Sequence, residues 1–332
     1  MFRRKYSKAE ILLNILICSV LVALSILIFT NRQRIIDQVT VWQFKSTSEI
    51  DSLVDRSGMN DYGKFLYLAS QPVLDSTQNF NNECNRIENT TSILGCYSYS
   101  RIYIYNVTDP QLDGIREVTA THETLHAIYA RLGDGEKERI NALLETEYKK
   151  LESNKDYSDR MAFYARTEPG ERDNELHSVI GTEISDISPE LETYYGKYFS
   201  DRQKVVVLNA KYSSKFINLK NHANILAAQL TTLATNISNN SAQYNASIAT
   251  LNNDILIFNN RAANSGFSSN AQFAAERVAL SARVTELGLN RDSINSDIAQ
   301  YDLTLAEYNS IATESRKLYS SIDSTLAPAA SF

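Results

Sequence analysis

The feature that most restricts the fold is a long proline-free segment in the C-terminal part of the chain. No proline occurs between Pro189 and Pro328, and apolar residues recur there in steps of three and four. This spacing is typical of a coiled-coil seam, which runs over residues 205–258, breaks at 264–268 and resumes over 273–326. Because the two arms are equally long, we predict an antiparallel helical hairpin. Each arm would be about 80 Å long at a rise of roughly 1.5 Å per residue.

Details of this segment predict how the hairpin closes and aligns. Ser269 and Gln272 have the spacing of a capping box and are expected to open the second arm. Polar residues also lie on the seam, namely Asn209, Asn240, Arg277 and Arg291. Such residues lower stability but can fix the register of paired helices, unless they face solvent at irregular layers. A parallel dimer through two long helices is the alternative to an intramolecular hairpin.

The N-terminal segment predicts a membrane anchor. The run from Ile11 to Phe29 contains no charged residue. A helix of about 20 apolar residues is long enough to cross the hydrocarbon core of a bilayer. A cleaved signal peptide is the competing interpretation, but it has a shorter apolar region, of about 7–15 residues, and a small-residue cleavage site. Polar and basic residues follow here at 30–34, so we favour an uncleaved single-pass anchor.

Basic residues around this run predict its orientation. Arg3, Arg4, Lys5 and Lys8 precede it, and Arg32 and Arg34 follow. Because cytoplasmic flanks carry the excess of Lys and Arg, the N-terminus is predicted in the cytoplasm and the main domains outside. An inverted topology, with the main domains in the cytosol, is the alternative. Cys84 and Cys96 agree with the first orientation, since an extracytoplasmic pair at this separation can form a disulfide. Free thiols are the other interpretation.

These signals divide the chain into a cytoplasmic tail (1–9), a transmembrane anchor (10–30), a helical stalk (31–57), a mixed domain (58–200), the hairpin (201–326) and a short tail (327–332). We expect the mixed domain to be mainly helical with a small sheet. Residues 101–107 are rich in β-branched and aromatic side chains and predict one strand. A net charge of −6 without a basic patch argues against nucleic-acid binding.

The residues that predict chemistry are concentrated in HETLH, at positions 122–126. The chain has only four histidines, and His122 and His126 stand here, four residues apart. Because a helix turns about 100° per residue, the two imidazoles point the same way and can ligate one metal ion. Glu123 lies one step round the helix, beside that ion. There it can take a proton from an activated water and pass it to a leaving amine.

This HETLH resembles the HExxH of the zincin metallopeptidases, over one helix and its surroundings. The resemblance implies Zn2+, peptide-bond hydrolysis and an α+β zincin-like domain between the anchor and the hairpin. Tyr129 and Leu132 stand where the metzincin class requires glycine and a third histidine, so that class is excluded. Zincins also place an edge strand beside the metal, which implies that the strand at 101–107 holds an extended substrate. The remaining class, the gluzincins, supplies a glutamate ligand from a later helix.

The predicted later helix, residues 172–187, contains our first choice for that ligand. One of its faces is apolar and is formed by Leu176, Val179, Ile180 and Ile187. Glu183 projects near the middle of this face, where a buried carboxylate needs compensation that a metal ion provides. Asp186 follows one turn later. It resembles the gluzincin acidic residue that accepts the N–H of a metal-bound histidine.

Other residues on and after this helix remain open. Glu175 is the runner-up for third ligand, because Asn174 and Glu175 resemble the NE of the thermolysin group, and His177 is the remaining candidate. A solvated polar helix face is the alternative for Glu175 and His177. Zincins often add a donor for the tetrahedral oxyanion. The available donors are His177, Tyr194, Tyr195 and Arg202, and the sequence does not select among them. His177 is retained as the possible donor, since Tyr194 and Tyr195 also fit a core stripe.

Two functions follow from these patterns. The first is a membrane-anchored zinc endopeptidase of gluzincin type, which cleaves a peptide or protein substrate outside the cytoplasmic membrane. The second is a non-catalytic envelope scaffold or adaptor whose hairpin binds a protein partner, with an inactive zincin domain. Glu123 favours the enzyme, because a structural zinc site does not need it.

Overall fold

The computed structural model describes residues 8–84, 93–167 and 169–325 of the 332-residue chain. The predicted tail at 327–332, the final position of the predicted hairpin and most of the tail at 1–9 lie outside the described residues. Within them the chain is mostly helical with one three-stranded sheet, as predicted. The fold divides into two compact units. The second unit is Phe216–Leu318, and the residues before and after it form the first.

The helices of the first unit are α1 (Lys8–Thr30), α2 (Arg32–Gln43), α3 (Ser48–Arg56), α4 (Asp61–Ala69), α5 (Thr77–Glu83), α6 (Ile115–Arg131), α7 (Asp134–Leu151), α8 (Lys155–Thr167), α9 (Arg172–Glu183) and α10 (Pro189–Tyr195). The strands are β1 (Val73–Asp75), β2 (Gly95–Ser98) and β3 (Arg101–Tyr105). Two long helices follow, α11 (Gln203–Ala263) and α12 (Asn270–Ser321).

Helix α1 contains the apolar run. The stretch Leu12–Thr30 is apolar enough and long enough to cross a membrane, and none of it is buried within the protein. A signal sequence near the N-terminus can meet the same criteria of length and composition, so the helix by itself is compatible with either role.

The segment predicted as a stalk, residues 31–57, is part of the domain and not a separate element. It forms α2 and α3, with a break between them. Ile50, Leu53 and Val54 on α3 are buried and join a cluster whose other members are Tyr67, Ile102, Ile104, Ala120 and Ala127. The α3 part of the predicted stalk therefore packs in the core of the first unit, because its apolar face has a partner there that a helical pattern does not reveal.

Strand β3 lies at the position of the predicted strand and is the central strand of the sheet. β1 pairs with it in parallel and β2 pairs with it antiparallel. Tyr99 and Ser100, between β2 and β3, have φ angles of 49° and 63°, the left-handed conformation of a tight two-residue hairpin turn. Both edges of β3 are occupied, so it cannot pair with a substrate strand, contrary to the expectation from the sequence. Among the described residues the outer strand on the antiparallel side is β2.

Helices α6 and α9 pack closely against each other in the main core. At Gly181 on α9, an added Cβ would lie 2.5 Å from Leu125 Cδ1 and 2.9 Å from Tyr195 Cε1. Only glycine permits this approach without a shift of neighbouring atoms. The core around the contact also contains Ile128, Ile140, Leu144, Leu176, Ile180, Leu191, Tyr194 and Phe199. The two helices that carry the sequence-predicted site residues are thus held side by side.

An ion pair holds α2 against α6. Arg131, in the last turn of α6, donates to both carboxylate oxygens of Asp37 on α2, with a shortest distance of 2.9 Å. Gln33 donates to the same carboxylate at 2.9 Å. The two ionic side chains are 11% and 5% exposed, so the pair is largely removed from water.

In the second unit, α11 and α12 run antiparallel, as the predicted hairpin requires. Ion pairs join Arg261 to Glu276 at 2.6 Å, Asp254 to Arg283 at 2.6 Å, and His222 to Glu307 at 3.1 Å. Residues earlier in α11 pair with residues later in α12, which is the antiparallel order. These pairs align the two arms in a single register.

Aromatic packing and a helix cap form the tip of the hairpin. The rings of Phe258, Phe267 and Phe273 lie 5.1–5.2 Å from one another. Ser269 Oγ accepts the Gln272 backbone N–H at 3.2 Å, whereas the Gln272 side chain accepts from Ser268. Only the first half of the predicted capping box forms.

Most of the polar seam residues face solvent. Asn240, Arg277 and Arg291 are exposed, as in the solvent-facing alternative, whereas Asn209 is half-buried. Beyond α12 the chain belongs to the first unit again. The Ser324 hydroxyl donates to Asn81 Oδ1 on α5 at 2.8 Å. The described C-terminal residues are thereby attached to the helix that precedes the disulfide.

We expect Asp37→Ala to lower the free energy of unfolding by about 3–5 kcal/mol, because it leaves the Arg131 guanidinium buried without its counter-charge. Urea unfolding of the detergent-solubilised protein measures this loss. The matched control is Asp159→Ala, which breaks the exposed Lys155–Asp159 pair and should cost about 1 kcal/mol or less. Equal costs for the two variants would mean that Asp37 does not hold α2 in place.

Candidate metal centre

Helix α6 presents His122 and His126 on one side. Their ring centroids are 4.8 Å apart, His126 is buried and His122 is half-buried. Thr121 and Thr124 lie between and beside them without disturbing the helix. Both threonines are buried, and their hydroxyls donate to backbone carbonyls four residues earlier, at 2.7 and 2.6 Å. The motif is therefore a regular helix built into the core, and His122 is the more accessible of its two histidines.

Glu175 on α9 lies opposite the two histidines. Its Oε1 is 3.4 Å from His126 Nε2 and its Oε2 is 3.7 Å from His122 Nε2. The three possible ligand atoms all lie within 4.8 Å of one another, so the group can hold a metal ion. The runner-up of the sequence analysis is thus the carboxylate that the structure places at this position.

The surroundings of Glu175 fit a cation. Its side chain is 5% exposed, and Oε2 has no hydrogen-bond partner among the described residues. A buried carboxylate oxygen without a partner is costly unless a positive charge compensates it. Burial acts to raise the pKa of Glu175, but His126, His122 and the Tyr164 hydroxyl together lower it below its ordinary value. The carboxylate is therefore ionised, the form that binds a metal ion.

Asn174 orients one of the histidines. Its Oδ1 lies 2.9 Å from His126 Nδ1, and Ser178 Oγ is 3.3 Å from the same nitrogen. An amide oxygen accepts a hydrogen bond, so Nδ1 carries the proton and Nε2 keeps its lone pair toward Glu175. Orientation of this kind is what metal-bound histidines receive from neighbouring acceptors. Asp186, the residue expected in this role, is exposed on the surface, so that expectation is corrected.

Glu183, our first choice for third ligand, does not face the histidines. Its two oxygens accept from the two terminal nitrogens of Arg160 on α8, at 2.6 and 2.9 Å. Burial acts to lower the pKa of Arg160, but the Glu183 carboxylate raises it above its ordinary value. The helical wheel correctly indicated that Glu183 needs compensation. A guanidinium provides that compensation here, and not a metal ion.

His177 lies in the core, where no substrate reaches it. It is fully buried, and its Nε2 is 2.9 Å from the Tyr194 hydroxyl. Burial lowers its pKa to about 3, so the imidazole is neutral. The Tyr195 hydroxyl donates to the His177 carbonyl at 2.7 Å, and Arg202 donates to the Ile184 carbonyl at the end of α9. None of the oxyanion donors considered from the sequence is therefore open to the site.

Tyr164 on α8 is a donor that the sequence analysis missed. Burial raises the pKa of its phenol well above the ordinary value. Neighbouring carboxylates raise it further, those of Glu175, Glu183 and Glu123. The phenol stays protonated beside both the candidate ligand and the candidate base. The only sequence signal was its spacing of four residues from Arg160, which places both on one face of α8.

Strand β2 lies against Glu123. An added Cβ at Gly95 would stand 2.7 Å from Glu123 Oε1 and 2.6 Å from Thr119 Cγ2, so only glycine allows the strand to come this close. The next residue, Cys96, forms a disulfide with Cys84 at the end of α5. Both β2 and β3 pack against the motif helix, but β3 is the central strand, so the outer strand beside the motif is β2 among the described residues.

Comparison of the chain with protein-family models, with curated proteins and with solved structures finds no match.

We expect the purified protein to bind a divalent metal ion, and Glu175→Gln to remove most of the affinity, because an ionised ligand is lost. Asn174→Ala should weaken binding by about 10–100-fold through misorientation of His126. Isothermal titration with zinc measures both effects.

The matched control is Glu183→Gln, on the same helix. It should bind zinc as the wild type does while it unfolds more easily, because Arg160 loses its counter-charge. The opposite order, with Glu183→Gln defective in binding and Glu175→Gln normal, would restore Glu183 as the ligand.

Proposed function

We propose that the chain is a membrane-anchored, zinc-dependent endopeptidase of gluzincin type, with a zincin-like catalytic domain. One observation carries this proposal: His122, His126 and Glu175 converge, with Glu123 beside them on the motif helix. A site that only stabilises the fold would need a fourth protein ligand and no base. Catalytic zinc sites use three protein ligands and keep an open position.

Zinc fits the donor set. Two imidazoles and one carboxylate form a ligand combination that catalytic zinc uses in peptidases. When bound, the ion would supply Lewis acidity to a water molecule and to the scissile carbonyl. Asn174 would keep the Nε2 lone pair of His126 available to it.

The side chains of this protein would carry the proton and the charge. Glu123 accepts a proton from the attacking water, whose oxygen bonds to the carbonyl carbon. The C–N bond then breaks, and Glu123 returns the proton to the departing amine nitrogen. Tyr164, which remains a phenol, donates a hydrogen bond to the oxygen that becomes negative.

Strand β2 is the surface that would hold the substrate. Its inner edge pairs with β3, and an extended peptide can add to the other edge through backbone hydrogen bonds. Gly95 at its start lies against Glu123, so a peptide paired with β2 would run past the base. This role passes to β2 from the strand at 101–107, which is enclosed on both sides.

The proposed location is extracytoplasmic. Helix α1 would be an uncleaved anchor with its N-terminus in the cytoplasm, as its flanking basic residues indicate. The disulfide between Cys84 and Cys96 supports this orientation, because such bonds persist in oxidising compartments.

Glu123→Gln should reduce kcat for peptide hydrolysis by about 10²–10⁴-fold, the usual contribution of a general base, and leave zinc content unchanged. Cleavage of a fluorogenic peptide library by the zinc-loaded protein measures this, with Glu138→Gln, an exposed substitution on α7, as control. An unchanged kcat would reject the mechanism, and a wild type that binds no zinc would reject the enzyme.

Tyr164→Phe should lower kcat by about 10²–10³-fold while zinc content and KM stay near the wild-type values, because the lost donor acts on transition-state charge. Tyr157→Phe, on the same helix, is the control and should retain activity. A change confined to KM would make Tyr164 a residue that binds substrate, and no change would remove it from the site.

The adaptor function has one supporting observation of its own. Large apolar side chains are exposed along the second unit, including Ile225, Leu256, Val278, Leu289 and Leu303. Exposed apolar residues in such number suit a protein partner. If zinc-loaded wild type and Glu123→Gln are equally inactive on every peptide, the adaptor becomes the better proposal.

A further inference from the structure

Helix α2 carries its apolar residues on the exposed side and a charge on the buried side. Ile35, Val39 and Trp42 are 44%, 40% and 75% exposed, whereas Asp37 is 4% exposed. Surface helices of a domain normally bury the apolar side and expose the charged side. The exposed side of α2 therefore calls for an apolar environment outside the protein.

These three exposed apolar residues form a stripe along α2. At about 100° per residue, Ile35, Val39 and Trp42 fall within roughly 60° of one another, and Asp37 lies on the other side of the helix. Ile36, 45% exposed, widens the stripe at its flank. The stripe runs along most of the helix and ends in the largest apolar side chain.

The protein holds α2 so that this stripe stays outward. Asp37 is bound by Arg131 of the motif helix, and Arg131 Nη1 also lies 3.3 Å from the Tyr97 hydroxyl on β2. A rotation of α2 that buried the stripe would break the ion pair and expose a paired, desolvated carboxylate. The orientation of α2 is thus set by the same helix that carries His122 and His126.

Continuity with the apolar helix α1 identifies what covers the stripe. α1 ends at Thr30 and α2 begins at Arg32, so Asn31 alone separates them. Tryptophan is enriched at the membrane–water interface, and amphipathic helices lie there with their apolar side about 5–10 Å deep. Arg32 and Arg34 are exposed on α2, where they can reach lipid phosphates.

We infer that α2 lies in the interface of the bilayer that α1 crosses, with Ile35, Val39 and Trp42 in contact with lipid. The domain is then held on the membrane surface by a second contact and not only by its anchor. This inference rests on the anchor of the proposed function, and it is independent of zinc and of catalysis.

Trp42 is the only tryptophan of the chain, so its fluorescence reports on this helix alone. The experiment uses the full-length protein in nanodiscs, with plain phospholipids or with phospholipids brominated on their acyl chains. Trp42 emission should be blue-shifted, should lose most of its intensity in the brominated discs, and should resist quenching by aqueous iodide. Val39→Trp combined with Trp42→Phe should behave in the same way, since both positions lie on the stripe.

Two results would overturn the inference. Efficient quenching by iodide, with no effect of bromine, would place the stripe in water. Protection from both quenchers would place it against protein, such as a second copy of this chain. If the chain still resists carbonate extraction, either of these results overturns the inference and leaves the assignment of α1 as an anchor unaffected. Loss of α1 by cleavage, detected by intact mass, would instead reject the anchor and the inference together, and peptide hydrolysis would still be tested separately.

Discussion

The close packing of α6 against α9 is the constraint on which the candidate site depends. Leu125 fits against Gly181, where no side chain could be added without displacing it. This contact places Glu175 within reach of His122 and His126, although the two parts of the site are separated by about 50 residues of chain. A larger residue at position 181 would force Leu125 or Tyr195 to shift at this contact.

Charge compensation then distinguishes two similar residues. Glu175 and Glu183 are carboxylates on the same helix, and both are largely withdrawn from water. Arg160 neutralises Glu183, whereas Glu175 faces two imidazoles and retains an oxygen without a partner among the described residues. The cost of burying a charge therefore makes Glu175 the candidate ligand. Glu183 already has a guanidinium, whereas Glu175 lies in a group that could hold a cation.

The motif helix also connects the site to the rest of the first unit. Its final turn holds α2 through Arg131 and Asp37, and its middle supports β2 at Gly95. The disulfide fixes β2 from the other side. The candidate base, the outer strand and the helix next to the anchor are thus positioned by contacts with a single buried element. The threonines of this helix can be buried among these neighbours because their hydroxyls donate to backbone carbonyls within the helix.

The sequence by itself determined the features that depend on local periodicity: the apolar helix at the N-terminus, the helix that aligns His122 with His126, and the antiparallel arms of the hairpin. It also indicated that Glu183 needs a counter-charge. Only the tertiary structure decided which group meets which. Arg160 pairs with Glu183. Asn174 has the position beside His126 that was expected of Asp186. The outer strand beside the motif is β2, whereas the strand at 101–107 is central. A helical wheel defines the direction of a side chain but not the neighbour in that direction, because that neighbour comes from another part of the chain.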